Sequence, residues 1–327
     1  MIWLENIEAA IESIRTEHKA VVKRIIEKKN TLNDRRPLPM SALNRIKEDL
    51  YIEWSYNSNG IEGNTLNLNE TRMVLQEGMT IKGKPLREHL EITNHHEAIE
   101  YVEGLTRANS EITDKQILKI HEIVMTKIEK DFAGRYRNGN VRIAGANFVP
   151  PNHLKTGDLM SELIAFINEN PFNFNVLEMA AIMHHRFVWV HPFFDGNGRT
   201  VRLLMNLFLM QHGYPPCIIL KNDRKKYYDA LNKANNNDYE KLMLLIMQAI
   251  ERSLDIYLMA YPDGDEYMSI TNILEEEQLP YGQEYISLLA RTGKIDAYKE
   301  GRNWVTSKEA INTYLNNRKR KRKQNEA

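Results

Sequence analysis

The sequence has few of the features that mark secreted and membrane-spanning proteins. Its 327 residues include one cysteine, Cys217, which excludes an intramolecular disulfide framework and fits a reducing compartment. No apolar run reaches the roughly 18 residues of a membrane-spanning helix, and the first residues lack a signal-peptide core. Basic and acidic residues both number 44, so the net charge gives no overall attraction to nucleic acid or membrane. We therefore expect a cytoplasmic protein without a membrane partner.

Internal repeats are also absent, which argues against a solenoid, and helical patterns dominate the chain. The length suits one sizeable helical domain and a small accessory one. Two capping boxes, Asn67 with Glu70 and Thr113 with Gln116, predict helix starts. A charged loop is predicted over 30–39. Helices are predicted near 3–29, 41–62, 85–107, 153–168, 175–190, 197–212, 222–235 and 238–260.

The most informative stretch is His191-Pro-Phe-Phe-Asp-Gly-Asn-Gly-Arg199, followed three residues later by Arg202. It combines an imidazole, a carboxylate, two glycines around an asparagine, and two guanidiniums. A Gly-Asn-Gly sequence favours a turn and contributes almost nothing to a core. Each of these residues alone would be an ordinary turn or surface residue. Their combination indicates a site for anionic chemistry.

The residues that follow this turn predict a largely buried helix, because 200–210 are densely apolar. The N-terminus of such a helix presents free backbone N–H groups and partial positive charge, which suit phosphate oxygens. Arg199 and Arg202 share one face of this helix, so both guanidiniums can reach one polyphosphate.

Asp195 and His191 add the groups needed for phosphate transfer. Asp195 stands just before the turn, where its carboxylate can hold a Mg²⁺ ion that bridges phosphates. His191 has the side chain whose ordinary pKa lies nearest neutrality, which suits a general base for an incoming hydroxyl. The residues together predict nucleotidyl or phosphoryl transfer.

The full pattern at 191–202 matches the signature His-Pro-Phe-x-Asp-Gly-Asn-Gly-Arg-x-x-Arg, and the chain resembles the Fic-domain family. The resemblance implies a mainly α fold, a Fic-type helical bundle with a small β-hairpin flap, and transfer of AMP from ATP to a protein hydroxyl. It also implies the site roles: His191 as the base, Asp195 as the magnesium ligand, Gly196, Asn197 and Gly198 as the anion cradle, Asn197 and Arg199 as further phosphate contacts, and Arg202 as the contact for the terminal phosphate.

The resemblance extends to both sides of this signature. Residues 177–190 resemble the preceding helix of the family, and 213–216 and 228–231 also fit, with Tyr228 as a further nucleotide contact. Strand-like alternation over 135–151 predicts a hairpin, either the family's flap for the target segment or a plain structural hairpin. His184 and His185 are interpreted as packing residues rather than metal ligands, because no His-Glu-x-x-His is present.

A second motif, Ser58-x-x-x-Glu62-Gly63, lies at the end of the predicted helix 41–62. Ser58 and Glu62 would share one helical face, as they do on many solvated helices. Beside a full Fic signature the motif resembles the family's inhibitory motif. The resemblance implies that Glu62 pairs with Arg202 in place of the terminal phosphate of ATP. The same glutamate could also position a water that removes AMP from a modified target.

Beyond Ala260 the sequence changes character. Residues 261–266 predict a linker, and 281–315 predict a helix, a turn, a short hairpin and a helix. This order resembles winged helix-turn-helix modules of excisionase type, with Lys299, Arg302 and Trp304 on or near the wing. Such modules contact DNA or proteins, and both remain open here. The basic run 318–323 strengthens the case for DNA, although such tails are often disordered.

We therefore divide the chain into four parts. These are an N-terminal helical region with the inhibitory helix (1–110), a Fic catalytic core (111–260), a winged-helix-like domain (261–317) and a disordered basic tail (318–327).

The favoured function is a magnesium-dependent protein adenylyltransferase, an AMPylator. It would modify a Ser, Thr or Tyr hydroxyl of a protein target or of itself, under autoinhibition by Glu62 that partners or a homodimer could relieve. The alternative is a nucleotide-sensing regulator with DNA-binding output through 266–327. A chemically closer alternative transfers phosphate or another nucleotide, as the death-on-curing toxins do, but the intact Gly-Asn-Gly-Arg resembles the AMP-transferring members.

Overall fold

The computed structural model describes residues 7–35, 40–108, 111–261, 266–276 and 279–325. Within the described residues, 3₁₀ turns span His153–Lys155 and Lys221–Asp223. The helices and strands are α1 (Ile7–Glu17), α2 (Lys19–Asp34), α3 (Met40–Ile61), α4 (Leu68–Glu77), α5 (Leu86–Ala108), α6 (Asp114–Met125), α7 (Thr156–Glu169), α8 (Val176–Val190), α9 (Asn197–Gln211), α10 (Arg224–Ala234), α11 (Glu240–Leu258), β1 (Met268–Ser269), α12 (Ile270–Glu276), α13 (Gln283–Arg291), β2 (Ala297–Glu300), β3 (Asn303–Thr306) and α14 (Lys308–Asn325). The predicted mainly α fold is confirmed.

Capping interactions explain where several helices begin. The Asn67 side chain accepts a hydrogen bond from the Glu70 backbone N–H at 2.9 Å, and the Glu70 carboxylate accepts one from Asn67 in return. Thr113 and Gln116 form the same reciprocal pair, so both predicted capping boxes are confirmed. A third one, between Asn175 and Glu178, starts α8. Each satisfies N–H groups that a helix start leaves without intrahelical partners.

The prediction of one helix over 3–29 was wrong. The backbone leaves helical geometry at His18, with φ −102° and ψ 15°, which separates α1 from α2. Helix α2 then continues to Asp34, because 30–34 contain no helix-breaking glycine or proline and Leu32 is buried in the core. The predicted loop over 30–39 therefore starts later in the chain, and 36–39 lie outside the described residues.

Helix α9 is the centre of the domain. Nearly every residue from Arg199 to Leu209 is buried, since α9 packs against α3, α5, α6 and α8. Asn206, a buried polar residue within the apolar run, is satisfied by the backbone of Cys217, whose N–H donates to Asn206 Oδ1 at 2.6 Å. Cys217 is itself buried. The turn at 195–198 therefore leads into a helix that is enclosed on all sides.

The hairpin predicted over 135–151 does not form strands. Within the described residues no backbone ladder joins its two arms, and the chain turns where Ala146 N–H donates to Ile143 O at 3.3 Å. Two causes are visible. Pro150 and Pro151 offer no N–H for a ladder, and the Arg137 guanidinium takes carbonyls at both ends of the segment, Gly139 O and Pro151 O. We call residues 138–150 the flap loop.

The C-terminal elements form a small antiparallel sheet in the order β1-β3-β2, covered by α12, α13 and α14 around an apolar cluster of their own. The predicted order of helix, hairpin and helix is present, while the predicted linker lies largely outside the described residues. Lys299, expected on the wing, is turned toward the helical domain and donates to Asp223 Oδ1 at 2.5 Å. Helix α14 continues to Asn325 instead of giving way to a disordered tail, because 318–325 lack glycine and proline.

Among the helices of the described ranges, none is both long and apolar enough to cross a membrane.

Candidate active site

His191 and residues 194–199 of the motif line a cavity of about 480 Å³. The N-terminus of α9 forms its floor, α10 and the C-terminal end of α3 form two walls, and the flap loop lies over it. Asn147 of the flap loop is fastened to α10, since Asn235 Nδ2 donates to Asn147 Oδ1 at 2.8 Å. The cavity size is in the range of small-ligand pockets.

The predicted anion cradle has the shape of an anion-binding turn. Gly196 has φ 74°, and a Cβ there would lie 2.9 Å from Met125 Sδ, so only glycine fits. Asn197 closes the turn on itself: its Oδ1 accepts from Phe193 N–H at 2.9 Å, and its Nδ2 donates to Phe193 O at 2.8 Å. Its side chain is thereby used within the turn, which leaves the backbone N–H groups of Asn197 and Gly198 for an anion.

Two guanidiniums lie under this cradle with unused hydrogen-bonding capacity. Arg199 and Arg202 are each 2 % exposed. Among the described contacts, Arg199 Nε and Nη1 and Arg202 Nη1 have no hydrogen-bond partner. A buried donor without a partner costs about 1–3 kcal/mol, more when charged, so these nitrogens favour an anionic ligand.

His191 lies at the end of α8, where it ends the helix with a left-handed backbone, φ 50° and ψ 61°. Its backbone carbonyl accepts from Arg137 Nε at 2.8 Å, and its Nδ1 faces Val188 O at 3.4 Å. Burial lowers the pKa of His191 to about 4, so the imidazole is neutral at neutral pH. With Nδ1 donating to Val188, Nε2 keeps a lone pair that can accept a proton.

Asp195 is half exposed at the rim of the cavity. Its Oδ1 accepts from Gly196 N–H at 2.6 Å, and its Oδ2 accepts from Arg87 Nη2 at 2.7 Å. An accessible carboxylate beside a phosphate cradle suits Mg²⁺, which binds one or two carboxylates plus substrate oxygens. The partner Arg87, at the start of α5, was missed by the sequence analysis because no local pattern links positions 108 residues apart.

The inhibitory candidates meet Arg202 as predicted. Arg202 Nε donates to Ser58 Oγ at 3.0 Å, and its Nη2 donates to Ser58 O and Glu62 Oε1, both at 2.8 Å. Burial alone would lower the pKa of Arg202, but the Glu62 carboxylate, together with Tyr227 and Tyr228, raises that pKa overall. Tyr228 OH donates to Glu62 Oε2 at 3.4 Å.

The Glu62 carboxylate also lies directly above the cradle. A Cβ on Gly198 would come within 2.1 Å of Glu62 Oε1. The carboxylate therefore occupies space at the helix N-terminus that an anionic ligand would use.

Two basic residues that the sequence analysis did not select hold the segment around Glu62. Arg224 Nε donates to Ile61 O at 2.6 Å, and Lys221 Nζ donates to Asn64 O at 3.2 Å. Cations at a helix C-terminus are favourable because carbonyls there lack intrahelical partners. These contacts fix the end of α3 against the start of α10 and so position Glu62.

His184 and His185 are buried in the core behind the site. His184 shares a hydrogen bond of 2.7 Å with Tyr227 OH. His185 Nε2 donates to Asn235 Oδ1 at 2.9 Å, and its Nδ1 accepts from Tyr239 OH at 2.7 Å. The two rings thus brace α10 and the start of α11, in agreement with the packing interpretation.

The sequence and the fold of the chain are similar to those of known proteins. Residues 111–209 match the Fic/DOC family. The protein adenylyltransferase Fic of Aedes aegypti is 37% identical over 281 residues, 85% of this chain and 55% of the relative. A solved structure of Fic-1 from C. elegans is 30% identical with a TM-score of 0.70, covering 76% of this chain and 74% of that one. A Fic-domain signalling protein from Bacteroides thetaiotaomicron is 26% identical with a TM-score of 0.67, covering 73% of this chain and 97% of that one. The chain spans about half the length of the curated relatives it matches.

Proposed function

The chain belongs to the Fic/DOC family, and on this premise we propose that it is a protein adenylyltransferase moving AMP from ATP to a Ser, Thr or Tyr hydroxyl of a protein. The observation that carries the proposal is the pair of buried arginines, Arg199 and Arg202, beneath the N-terminus of α9, with donor nitrogens that have no hydrogen-bond partner among the described residues. A polyphosphate supplies several anionic oxygens to such donors at once. Curated relatives are named for this activity.

The proposed nucleotide contacts follow from the geometry. The backbone N–H groups of Asn197 and Gly198 would bind phosphate oxygens, while that of Gly196 is held by Asp195 Oδ1. Arg199 would bind through Nε and Nη1, which have no hydrogen-bond partner in the part of the chain that the structure describes, although Nη1 lies 3.5 Å from Glu91 Oε1. Asn197 would contribute its backbone N–H rather than its amide, which the turn uses. Arg202 would bind the terminal phosphate once Glu62 is displaced, and Tyr228 would contact the nucleotide from α10.

In the proposed reaction, the target hydroxyl oxygen attacks the α-phosphorus of ATP in line with the leaving group. His191 Nε2 takes the hydroxyl proton, a bond forms from that oxygen to phosphorus, and the bond from phosphorus to the bridging oxygen breaks. AMP remains on the protein and pyrophosphate leaves. The low pKa of His191 keeps it neutral and able to accept the proton. The buried arginines stabilise the developing phosphate charge.

Asp195 is the proposed magnesium ligand, because its carboxylate is accessible next to the cradle. A bound Mg²⁺ would neutralise charge on the phosphate oxygens and the departing pyrophosphate. The residues present fit this role with a single carboxylate, as is common when substrate phosphates supply further ligands.

Glu62 is the proposed brake on this reaction. Its carboxylate occupies Arg202 and overlies the cradle, so ATP must displace it before binding productively. The phosphate charge of ATP can compete with Glu62 for Arg202. The inhibition should therefore be incomplete, and partners or oligomerisation could relieve it. In the same place, Glu62 could also position a water for removal of AMP from a modified target.

The alternative of a nucleotide sensor with DNA output has no comparable support. Lys299, the lysine expected to contact DNA, is paired with Asp223 of the helical domain. Lys299 would have to leave Asp223 before it could contact DNA.

The test is the intact mass of the protein after incubation with ATP and Mg²⁺, for the wild type, Glu62→Gly and Glu62→Gly/His191→Ala. We expect a mass increase of one AMP in the single variant, little in the wild type and none in the double variant. Absence of any adduct in Glu62→Gly that retains ATP binding, or an adduct that persists without His191, would contradict the proposal.

A further inference from the structure

We propose that Arg87 takes the place of the divalent metal on Asp195 when no metal is bound, so that the metal must displace it. The inference rests on the proposed function, because it takes Asp195 as the metal ligand. It adds a residue from outside the 191–202 motif to the control of the site.

The position of Arg87 is that of a counter-ion within a group of carboxylates. Its Nη2 donates to Asp195 Oδ2 at 2.7 Å, its Nε donates to Glu91 Oε1 at 3.4 Å, and its Nη1 lies 3.7 Å from Glu129 Oε1. Asp195 and Glu129 are each close to half exposed, so the group is open to solvent ions. Arg87 thus holds Asp195 Oδ2, one of the oxygens that a hard metal ion would use. The other oxygen, Oδ1, accepts from Gly196 N–H and lies 3.6 Å from the buried Arg199, so Arg87 is the exposed cation on this carboxylate.

Arg87 can leave Asp195 at small energetic expense. Its own side chain is 49% exposed, and exposed ion pairs contribute little to stability. After release it still has Glu91 and Glu129 beside it on its other nitrogens. The pair is therefore poorly explained as a structural tie and well explained as an exchangeable contact.

The pair of Glu62 and Arg202 shows the same kind of contact as Arg87 and Asp195, with the charges reversed. Glu62 supplies a carboxylate to Arg202, where the anionic substrate is proposed to bind, and Arg87 supplies a guanidinium to Asp195, where the cation is proposed to bind. The protein's own side chains thus balance both charges of the ligand-free site. A metal–nucleotide complex would have to displace both.

Glu91 joins the two halves. It is 15% exposed and contacts Arg87 at 3.4 Å, while Asn64, two residues after Glu62, donates to its Oε2 at 2.9 Å. Arg199 Nη1 lies 3.5 Å from the same carboxylate. A shift of Arg87 on metal binding therefore changes the charge around a carboxylate that also touches the cradle arginine and the inhibitory segment.

The test is Mn²⁺ binding to the nucleotide-free protein. Binding is measured as the decrease of the electron paramagnetic resonance signal of free Mn²⁺. We compare wild type with Arg87→Gln, Arg87→Lys and Arg87→Glu. Removing the competing charge should tighten Mn²⁺ binding about twofold to fivefold in Arg87→Gln, the range expected for an exposed ion pair. Arg87→Glu should bind more tightly still because it adds a carboxylate, and Arg87→Lys should stay near the wild type.

Two controls make the result specific. Arg72→Gln removes a similarly exposed arginine from an ion pair with Asp49, 2.9 Å long and away from the cavity, and should leave Mn²⁺ affinity unchanged. Asp195→Asn should remove the gain that Arg87→Gln produces. Equal affinities for wild type and Arg87→Gln, or a gain that survives Asp195→Asn, would overturn the inference.

This readout separates the inference from the proposed function, because it uses no nucleotide. If the predicted order of Mn²⁺ affinities holds while Glu62→Gly transfers no AMP, the competition at Asp195 stands and the proposed activity fails. If AMP is transferred but the order does not hold, the proposed activity stands and the role of Arg87 is refuted.

Discussion

Replacing Glu62 with glycine should raise the rate of AMP transfer about 10- to 100-fold. The magnitude follows from the Glu62 and Arg202 pair, whose closest N and O atoms are 2.8 Å apart, with the arginine side chain 3% and the glutamate 33% exposed. Disrupting a fully buried pair costs about 3–5 kcal/mol, and an exposed pair about 0–1 kcal/mol. A pair with one buried member lies between these limits, at about 1.5–3 kcal/mol, and about 1.4 kcal/mol corresponds to tenfold.

The assay is the initial rate of self-modification with ATP labelled at the α-phosphate. Glu53→Gln is the matched control, because Glu53 also lies on α3 and also pairs with a buried arginine, Arg252, at 2.8 Å, but does not line the cavity. The self-modification rate of Glu53→Gln should equal that of the wild type. A Glu62→Gly rate within twofold of the wild type would refute the inhibitory role, as would an equal rise in Glu53→Gln.

Four further predictions follow from the site and the core. Burial lowers the pKa of His191 to about 4 with Glu62 present, and the neutral imidazole is the base. In Glu62→Gly, which also loses the carboxylate that raises this pKa, the transfer rate should rise with pH only at or below about 4 and be flat near neutrality; an inflection near the ordinary histidine value would contradict the assignment. In the wild-type background, Gly198→Ala should lower the free energy of unfolding in denaturant titrations by about 1–2 kcal/mol, because the added Cβ lies 2.1 Å from Glu62 Oε1. In the Glu62→Gly background, where that oxygen is absent, the same substitution should cost less. Burial lowers the pKa of His184 to about 3 and of His185 to about 4, so between these values and the ordinary histidine pKa the unfolded chain binds more protons than the folded one. The melting temperature should therefore fall as the pH is lowered through that range. A melting temperature that stays constant over this range would contradict the prediction. Cys217 is 2% exposed and burial raises its pKa, so the native protein should react with a thiol reagent only after unfolding.

The parts of the molecule that local chemistry controls were predictable from the sequence. The turn at 195–198 needs glycine and asparagine, so its residues indicated both its shape and its position before α9. Asn67 with Glu70 and Thr113 with Gln116 bond within three residues, and both capping boxes formed as predicted. The pairing of Glu62 with Arg202 joins distant positions and followed from the family resemblance rather than from spacing.

The parts that depend on tertiary contacts were not predictable. Arg87 on Asp195 and Arg224 on Ile61 O join segments that only the fold brings together. The alternation over 135–151 indicated strands, but Arg137 takes the carbonyls at the ends of the flap loop. Lys299 has the residue type of a DNA contact, yet Asp223 lies beside it in the folded chain.

The most direct test of the central claim compares Glu62→Gly incubated with ATP labelled at the α-phosphate and, separately, at the γ-phosphate, with Glu62→Gly/His191→Ala as the blank. The account predicts that protein acquires the α label alone and that the blank acquires neither. Label from the γ-phosphate on the protein would instead show phosphate transfer, and no label despite ATP binding would contradict the assignment of the site as an AMP-transferring centre.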